Sequence, residues 1–244
     1  MLSKKIAFVT GSNGGIGKAI IKSLVKNNAM IICSVRKKDK KFLNFTEKYK
    51  KNIIDIIEFD ITNEDQVKKK IDHLYKKKKS INILINCAGK ASGSITEMTS
   101  IKLIKNIFDV NFFSQIRITQ LLLKFLKKSK NSSIINIGSI SGLTPERGNL
   151  AYGTSKSALM FASKIMANEF GYYKIRVNSV APGIIKTKML KKMDKKNIQK
   201  IINNSFNQKI GTAEEVADLI TYLCSDKARH INGQTIKIDG GTIF

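Results

Sequence analysis

The sequence predicts an α/β fold: one doubly wound parallel sheet of about seven strands with helices on both faces. Three observations predict it. Short apolar runs rich in β-branched residues alternate with longer amphipathic runs. The strand-like runs are apolar at consecutive positions, as expected where both faces are covered. No stretch rich in Pro, Gly or Ser divides the chain, which holds only two prolines, Pro145 and Pro182. A single domain over residues 1–244 is therefore expected.

The expected strands are residues 5–10, 30–35, 53–59, 81–86, 133–137, 174–180 and 235–238. The expected helices lie between them, at 16–27, 40–50, 64–78, 101–128, 152–170 and 212–224. The last opens with Thr212-Ala213-Glu214-Glu215, the pattern of a capping box. Residues 183–209 are polar and weakly periodic, and they follow a strand end. A substrate-covering loop is expected there, with a plain surface excursion as the other reading.

Hydrophobic residues make up 42% of the chain and charged residues 25%, the composition of a soluble globular protein. No apolar run approaches the roughly 20 residues that span a bilayer. The N-terminal residues have no secretory pattern, and Cys33, Cys87 and Cys224 fit neither a disulfide framework nor a metal cluster. A cytoplasmic protein without a metal site or membrane partner is expected. Lys and Arg number 44 against 18 Asp and Glu, a net charge of +26. The lysines are scattered, and Lys, Asn and Ile are abundant together, the drift that an AT-rich genome produces. A nucleic-acid partner is not expected. A basic nucleic-acid-binding protein on an inactive enzyme fold is the alternative from another class.

The first strand runs into Thr10-Gly11-Ser12-Asn13-Gly14-Gly15-Ile16-Gly17 and then a helix. Gly11 permits the turn, Gly15 lets backbone approach a pyrophosphate, and Gly17 allows close helix packing. Phosphates would meet the amides of the helix N-terminus, with Ser12, Asn13 and Ile16 in the same turn. The spacing is G-x-x-x-G-x-G, not the common G-x-G-x-x-G, so on the turn alone a Rossmann-type dinucleotide site and a tight structural turn are both open, and the place between first strand and first helix favours the former. The second strand ends in Ser34-Val35-Arg36-Lys37, with no acid to hold a free ribose hydroxyl. Ser34, Arg36 and Lys37 suit a 2′-phosphate, so NADP(H) is expected over NAD(H). Asp39 could reach the ribose in a shifted register. Asp60, followed by Ile61, has two readings: an acceptor for the adenine amino group, or a helix cap.

Tyr152 and Lys156 stand four apart, on one face of a helix. Ser139 ends a strand, and Asn111 lies in a long helix. Hydride delivery to a carbonyl carbon leaves charge on oxygen, and a proton must arrive there. A phenol is a poor acid–base group at neutral pH, and a nearby ammonium moves its pKa toward the working range. The Ser139 hydroxyl can hold and polarise the carbonyl oxygen.

Together these residues resemble the short-chain dehydrogenase/reductase family. The matching pieces are Thr10-Gly11-x-x-x-Gly15-x-Gly17, Asn86-Cys87-Ala88-Gly89, Asn111, Ser139, Tyr152-x-x-x-Lys156, Pro182-Gly183 with Thr187, and Asp239-Gly240-Gly241. They occur in family order across nearly the whole chain. The resemblance implies that Tyr152 is the acid/base and that Lys156 binds the nicotinamide ribose and lowers the Tyr152 pKa. It implies that Ser139 orients substrate and that Asn111 holds a water in a proton relay. Asn86, Ala88 and Gly89 would line the cofactor, and Pro182, Gly183, Ile185 and Thr187 would meet its nicotinamide end. It also implies a homotetramer packed through the long helices. Length, tail and the Ser139–Tyr152 spacing resemble the branch that reduces a 3-oxoacyl thioester on acyl-carrier protein, whose acidic carrier would dock on basic residues such as Lys130 and Lys174 near the site entrance. Residues 90–98 do not resemble that branch closely. A sugar, polyol or other small-alcohol enzyme of the same family is the alternative.

Overall fold

The structure, a computed structural model, describes residues 1–76, 80–187, 190 and 195–242. Seven strands form one parallel sheet: β1 (Ile6–Val9), β2 (Met30–Val35), β3 (Ile53–Glu58), β4 (Ile83–Asn86), β5 (Ser132–Ile137), β6 (Ile175–Pro182) and β7 (Thr235–Ile238). Their order is β3-β2-β1-β4-β5-β6-β7. The order reverses between β1 and β4, which opens a crevice at the carboxyl ends of those two strands.

The helices are α1 (Gly15–Lys26), α2 (Lys40–Glu47), α3 (Glu64–Lys76), α4 (Ile101–Phe108), α5 (Ser114–Lys128), α6 (Leu150–Gly171), α7 (Lys195–Asn203) and α8 (Ala213–Cys224). Alternate strand residues feed two cores. Ala7 and Val9 pack with α1 and α8, whereas Phe8 packs with α3, α5 and α6. Consecutive apolar residues are thus explained, since each strand is buried on both faces. The capping box forms as expected: Thr212 and Glu215 bond each other's backbone N–H.

Two elements depart from expectation. The helix expected over 101–128 is interrupted by a π-helical turn at Asp109–Phe113. The Asp109 carbonyl takes the Ser114 N–H across the wider turn, and side chains one turn on add bonds to the carbonyls there. Ser114 Oγ donates to the Asp109 oxygen at 2.6 Å, and Gln115 Nε2 to the Val110 oxygen at 3.0 Å. A π turn inside an α-helix commonly marks a functional site, and this one carries Asn111. Within the expected covering loop, the structure has α7. Residues 188–189 and 191–194 of that loop lie outside the described residues. Both flanks of the segment are tied down, Ile185 bridging to Gly211 and Ser205 to Thr242. All three cysteines are free thiols. Among the described residues, no helix is long and apolar enough to cross a membrane, and no His/Cys/Asp/Glu cluster could hold a metal.

Candidate active site

The parallel sheet puts every strand's carboxyl end on one edge, and the site is built there. Ser139 follows β5, and its backbone is extended before a short turn at Ile140–Gly142. The first turns of α6 carry Tyr152 and Lys156. The Ser139 hydroxyl lies near enough to the Tyr152 phenol to draw its pKa downward. Lys156 is buried, and its Nζ donates to the Ile137 carbonyl at 2.7 Å while lying 6.0 Å from the Tyr152 ring centroid. Asn111 is fully buried. Its Nδ2 donates to the Lys90 oxygen at 2.9 Å and to Ser155 Oγ at 3.0 Å, and its Oδ1 accepts from the Lys90 N–H at 2.8 Å. Gly89 separates the two polar groups: a Cβ there would lie 3.4 Å from Lys156 Nζ and 3.5 Å from Asn111 Oδ1. The phenol, hydroxyl, ammonium and carboxamide expected from the sequence therefore converge.

Electrostatics differ from the expectation in one respect. Burial pushes the Tyr152 phenol above its ordinary value, and the Ser139 hydroxyl pulls the other way. Burial also pushes Lys156 down to about 8. Ser139 is the neighbour that eases the phenol's ionisation, and burial outweighs it.

The glycine turn lies beside this centre. Gly11 adopts φ +63°, and a Cβ there would sit 2.7 Å from Ala88 Cα. α1 opens at Gly14 with no side-chain cap and no acid in its first turn, leaving its N-terminal amides and positive dipole end for an anion. Asn13, Gly14 and Gly15 are exposed there. A Cβ on Gly15 would meet Thr187 Cγ2 at 2.9 Å, so the turn and the segment after β6 close on each other. These groups fit a dinucleotide lying along the carboxyl edge.

A family model described as enoyl-(acyl carrier protein) reductase matches residues 11–242. The 3-oxoacyl-[acyl-carrier-protein] reductase FabG of Buchnera aphidicola subsp. Acyrthosiphon pisum is 35% identical, covering 98% of each chain. A short-chain dehydrogenase/reductase from Serratia marcescens superposes with a TM-score of 0.91 at 27% identity, covering 98% of each chain. The NADP-bound structure of ElxO does so at 0.89 and 31% identity, covering 97% of this chain and 98% of that one. The chain belongs to the short-chain dehydrogenase/reductase family. It is an oxidoreductase acting with a nicotinamide cofactor.

Within this reductase the remaining expected residues separate by placement. Arg36 and Lys37 are exposed at the end of β2, and Ser34 is buried below them. Arg36 lies close enough to Asp60 to help hold its carboxyl below the usual range, after the two Thr62 hydrogen bonds that dominate the shift. Asp60 Oδ1 accepts from the Thr62 N–H and hydroxyl, whereas Asn63 is the residue that caps α3. Asp39 is committed to α2, its Oδ1 accepting from Phe42 N–H at 2.7 Å, which removes it from the ribose. Ile61 packs on the second core and Ile16 on the first. Pro182 ends β6, and Gly183 N–H donates to the Ile238 oxygen.

Three expectations are corrected. Ser12 is fully buried; its hydroxyl donates to the Val9 oxygen at 2.8 Å and its N–H to the Ser34 oxygen, so it braces the turn instead of facing the crevice. The Asn86 side chain is likewise buried, donating to Asn136 Oδ1 at 2.8 Å and Thr119 Oγ1 at 3.1 Å, and so ties β4 to β5 and α5. Lys130 and Lys174 precede β5 and β6, which places them at the amino edge of the sheet, opposite the chemistry. Within one chain they cannot border the entrance. Other residues were not anticipated. Thr10 Oγ1 accepts from the Cys87 and Ala88 N–H groups and joins the ends of β1 and β4. Gln115 Nε2 donates to the Ala88 oxygen, and Ser155 receives Asn111. Thr10 and Ser155 lie inside motifs already singled out, and their hydroxyls were the available signal.

Proposed function

We propose that this enzyme reduces a 3-oxoacyl thioester on acyl-carrier protein with NADPH, through Ser139, Tyr152, Lys156 and Asn111. The observation that carries the reading is near-full-length similarity to FabG at 35% identity, on a chain that sets Ser139 beside Tyr152 and Lys156 on the first turns of α6. When bound, the nicotinamide supplies the hydride. The protein does the rest. The substrate oxygen sits between the Ser139 hydroxyl and the Tyr152 phenol, both aimed at the charge that develops there. Tyr152 gives up its proton to that oxygen. Asn111 fixes the Gly89–Lys90 backbone around Lys156, and a water held there would return a proton through Lys156.

The cofactor would be held by Gly11, Asn13, Gly15, Ile16 and Gly17 at its phosphates and by Ser34, Arg36 and Lys37 at a 2′-phosphate. Asp60 and Ile61 would hold the adenine, and Ala88, Gly89, Pro182, Gly183, Ile185 and Thr187 the nicotinamide end. Exposed Phe113, in the π turn that leads into α5, and exposed Phe161 and Ile165 on α6 support a homotetramer packed through these helices, in which Lys130 and Lys174 could serve only a neighbouring chain's entrance. The single domain, with residues 183–209 covering the substrate, completes the reading.

Steady-state assays with acetoacetyl-acyl-carrier protein test it, using NADPH and NADH in parallel. Reduction with a lower KM for NADPH is expected. Turnover of an aldohexose in place of the thioester would move the enzyme to the sugar branch, and tighter NADH binding would overturn the 2′-phosphate site.

A further inference from the structure

We propose that Asn149 is a positioning residue for proton transfer, tying the turn that carries Ser139 to the helix that carries Tyr152. Asn149 is the N-cap of α6, a place where an Asn side chain ordinarily accepts from the helix backbone. Here it makes no such bond. Its Nδ2 instead donates to Ser141 Oγ at 3.5 Å and to the Glu146 carboxylate. Ser141 Oγ also donates to Glu146 Oε2 at 3.4 Å, so the three side chains close a ring.

The ring leads to the chemistry in two steps. Ser141 N–H donates to Ser139 Oγ at 3.2 Å, and the Ser139 hydroxyl lies beside the Tyr152 phenol, which it draws downward. Accepting from Ser141 commits a lone pair of Ser139 and leaves its proton for the phenol and the substrate oxygen. On the other side, the Asn149 carbonyl accepts from Gly153 N–H at 2.7 Å, and Gly153 packs so closely that a Cβ would strike the Ser141 oxygen. The Asn149–Gly153 bond is the first backbone bond of α6 and persists in any variant; what the Asn149 side chain adds is the tie from this helix start to the Ser139 turn. A second tether holds the same loop, Ser94 N–H donating to the Gly148 oxygen at 2.8 Å. An N-cap bond is worth about 1 kcal/mol to a helix. Using the Asn side chain elsewhere is explained if loop geometry matters more here than helix stability.

The inference rests on the assignment of Ser139 and Tyr152, and the test separates the two. Tyr152→Phe examines the assignment; full activity in that variant would remove it. Asn149→Ala and Asn149→Ser examine the tie. The ring borders a cavity of about 750 Å³, so trimming Asn149 enlarges an existing space and leaves the packed cores alone. In both variants kcat is expected to fall about tenfold, since small displacements of reacting groups carry penalties of this size or larger. Cofactor Kd, read by NADPH fluorescence, is expected to stay within twofold. Ser at 149 can make the missing cap, so its Tm should equal or exceed that of the parent while kcat drops. Glu146→Gln keeps an acceptor for Asn149 and Ser141 and should retain kcat, whereas Glu146→Ala should not. A kcat for Asn149→Ala within twofold of the parent would overturn the proposal. So would a loss of kcat matched by a fall in Tm in both Asn149 variants, or equal losses in Glu146→Gln and Glu146→Ala.

Discussion

The Lys156 ammonium donates to the Ile137 carbonyl at 2.7 Å and lies 6.0 Å from the centre of the Tyr152 ring. The bond anchors the side chain from α6 to the end of β5, beside Ser139. It also explains how a lysine can be almost wholly buried with no carboxylate partner among the described residues. Such a site disfavours charge, which is why Lys156 is pushed down to about 8 from 10.5.

That depressed value makes Lys156 a source of instability at neutral pH. The folded state releases the proton near 8 and the unfolded chain near 10.5. Below 8 the full cost of a buried ammonium is present, on the order of 3 kcal/mol before the Ile137 bond is credited. As pH rises from 8 toward 10.5 the folded state binds fewer protons than the unfolded one, so stability increases. Lys156→Met should therefore be inactive yet melt a few degrees higher at pH 7. Its advantage should shrink above pH 8. A lower Tm than the parent at pH 7 would contradict this account of the site.

Ser139 should leave its mark on the pH profile. Its hydroxyl is the one group drawing the buried Tyr152 phenol downward. Removing the hydroxyl, as in Ser139→Ala, should raise the phenol further. With Tyr152 as the proposed acid/base, alcohol oxidation would need the phenolate, so the rising limb of its rate should move to higher pH. Carbonyl reduction at pH 7 should fall by about 10²-fold through loss of the donor to the developing oxyanion. An unmoved limb in the Ser139→Ala profile would show that the phenol titrates independently of this serine.

Much of this centre was legible because it depends on spacing. A four-residue separation puts Tyr152 and Lys156 on one helix face whatever the rest of the chain does. Alternation of apolar runs likewise implied the sheet, since strands buried on both faces have no polar side. The π turn at Asn111 was hidden, because one wider turn barely disturbs the apolar stripe of residues 101–128. Asn86 and Ser12 show a different gap: a motif fixes where a residue stands, not which way its side chain turns. Lys130 and Lys174 were misplaced although strand polarity already decided the matter, since residues preceding parallel strands gather at the amino edge. The bond from Asn149 to Glu146 depends on loop conformation, which no periodicity encodes.

Asn111 should prove structural as well as functional. Its carboxamide satisfies both backbone groups of Lys90, beside Gly89 and Lys156. Asn111→Leu would remove three hydrogen bonds, to the part-buried N–H and carbonyl of Lys90 and to Ser155, at about 1 kcal/mol each. A loss of several degrees in Tm is expected together with loss of turnover. Asn111→Asp keeps the acceptor for Lys90 N–H but not the two donors, and should fall between. If Asn111→Leu melts with the parent, the bonds to Lys90 contribute nothing to the fold.

Gly11 and Gly14 stand three apart in one turn and should respond to alanine to very different degrees. Gly11 has φ +63°, where a side chain costs about 1–2 kcal/mol before any contact is counted. Its Cβ would also lie 2.7 Å from Ala88 Cα and 2.8 Å from Ala88 N, and those atoms are backbone, which cannot rotate away. Ala88 N–H is held by Thr10 Oγ1 at 3.0 Å, so the clash falls on the junction between the ends of β1 and β4, where the crevice opens. Gly14 has ordinary extended backbone, φ −69°, and a Cβ there approaches nothing closer than the Gly11 oxygen at 3.2 Å. Gly11→Ala is expected to weaken nicotinamide cofactor binding at least tenfold and to lower Tm. Gly14→Ala is expected to lower Tm far less, since its Cβ needs the Gly11 oxygen to give only a few tenths of an ångström and its unfolded chain also loses freedom. Fluorescence titration and thermal melts of the pair decide it: equal behaviour would mean that the turn is not held by the β1–β4 junction.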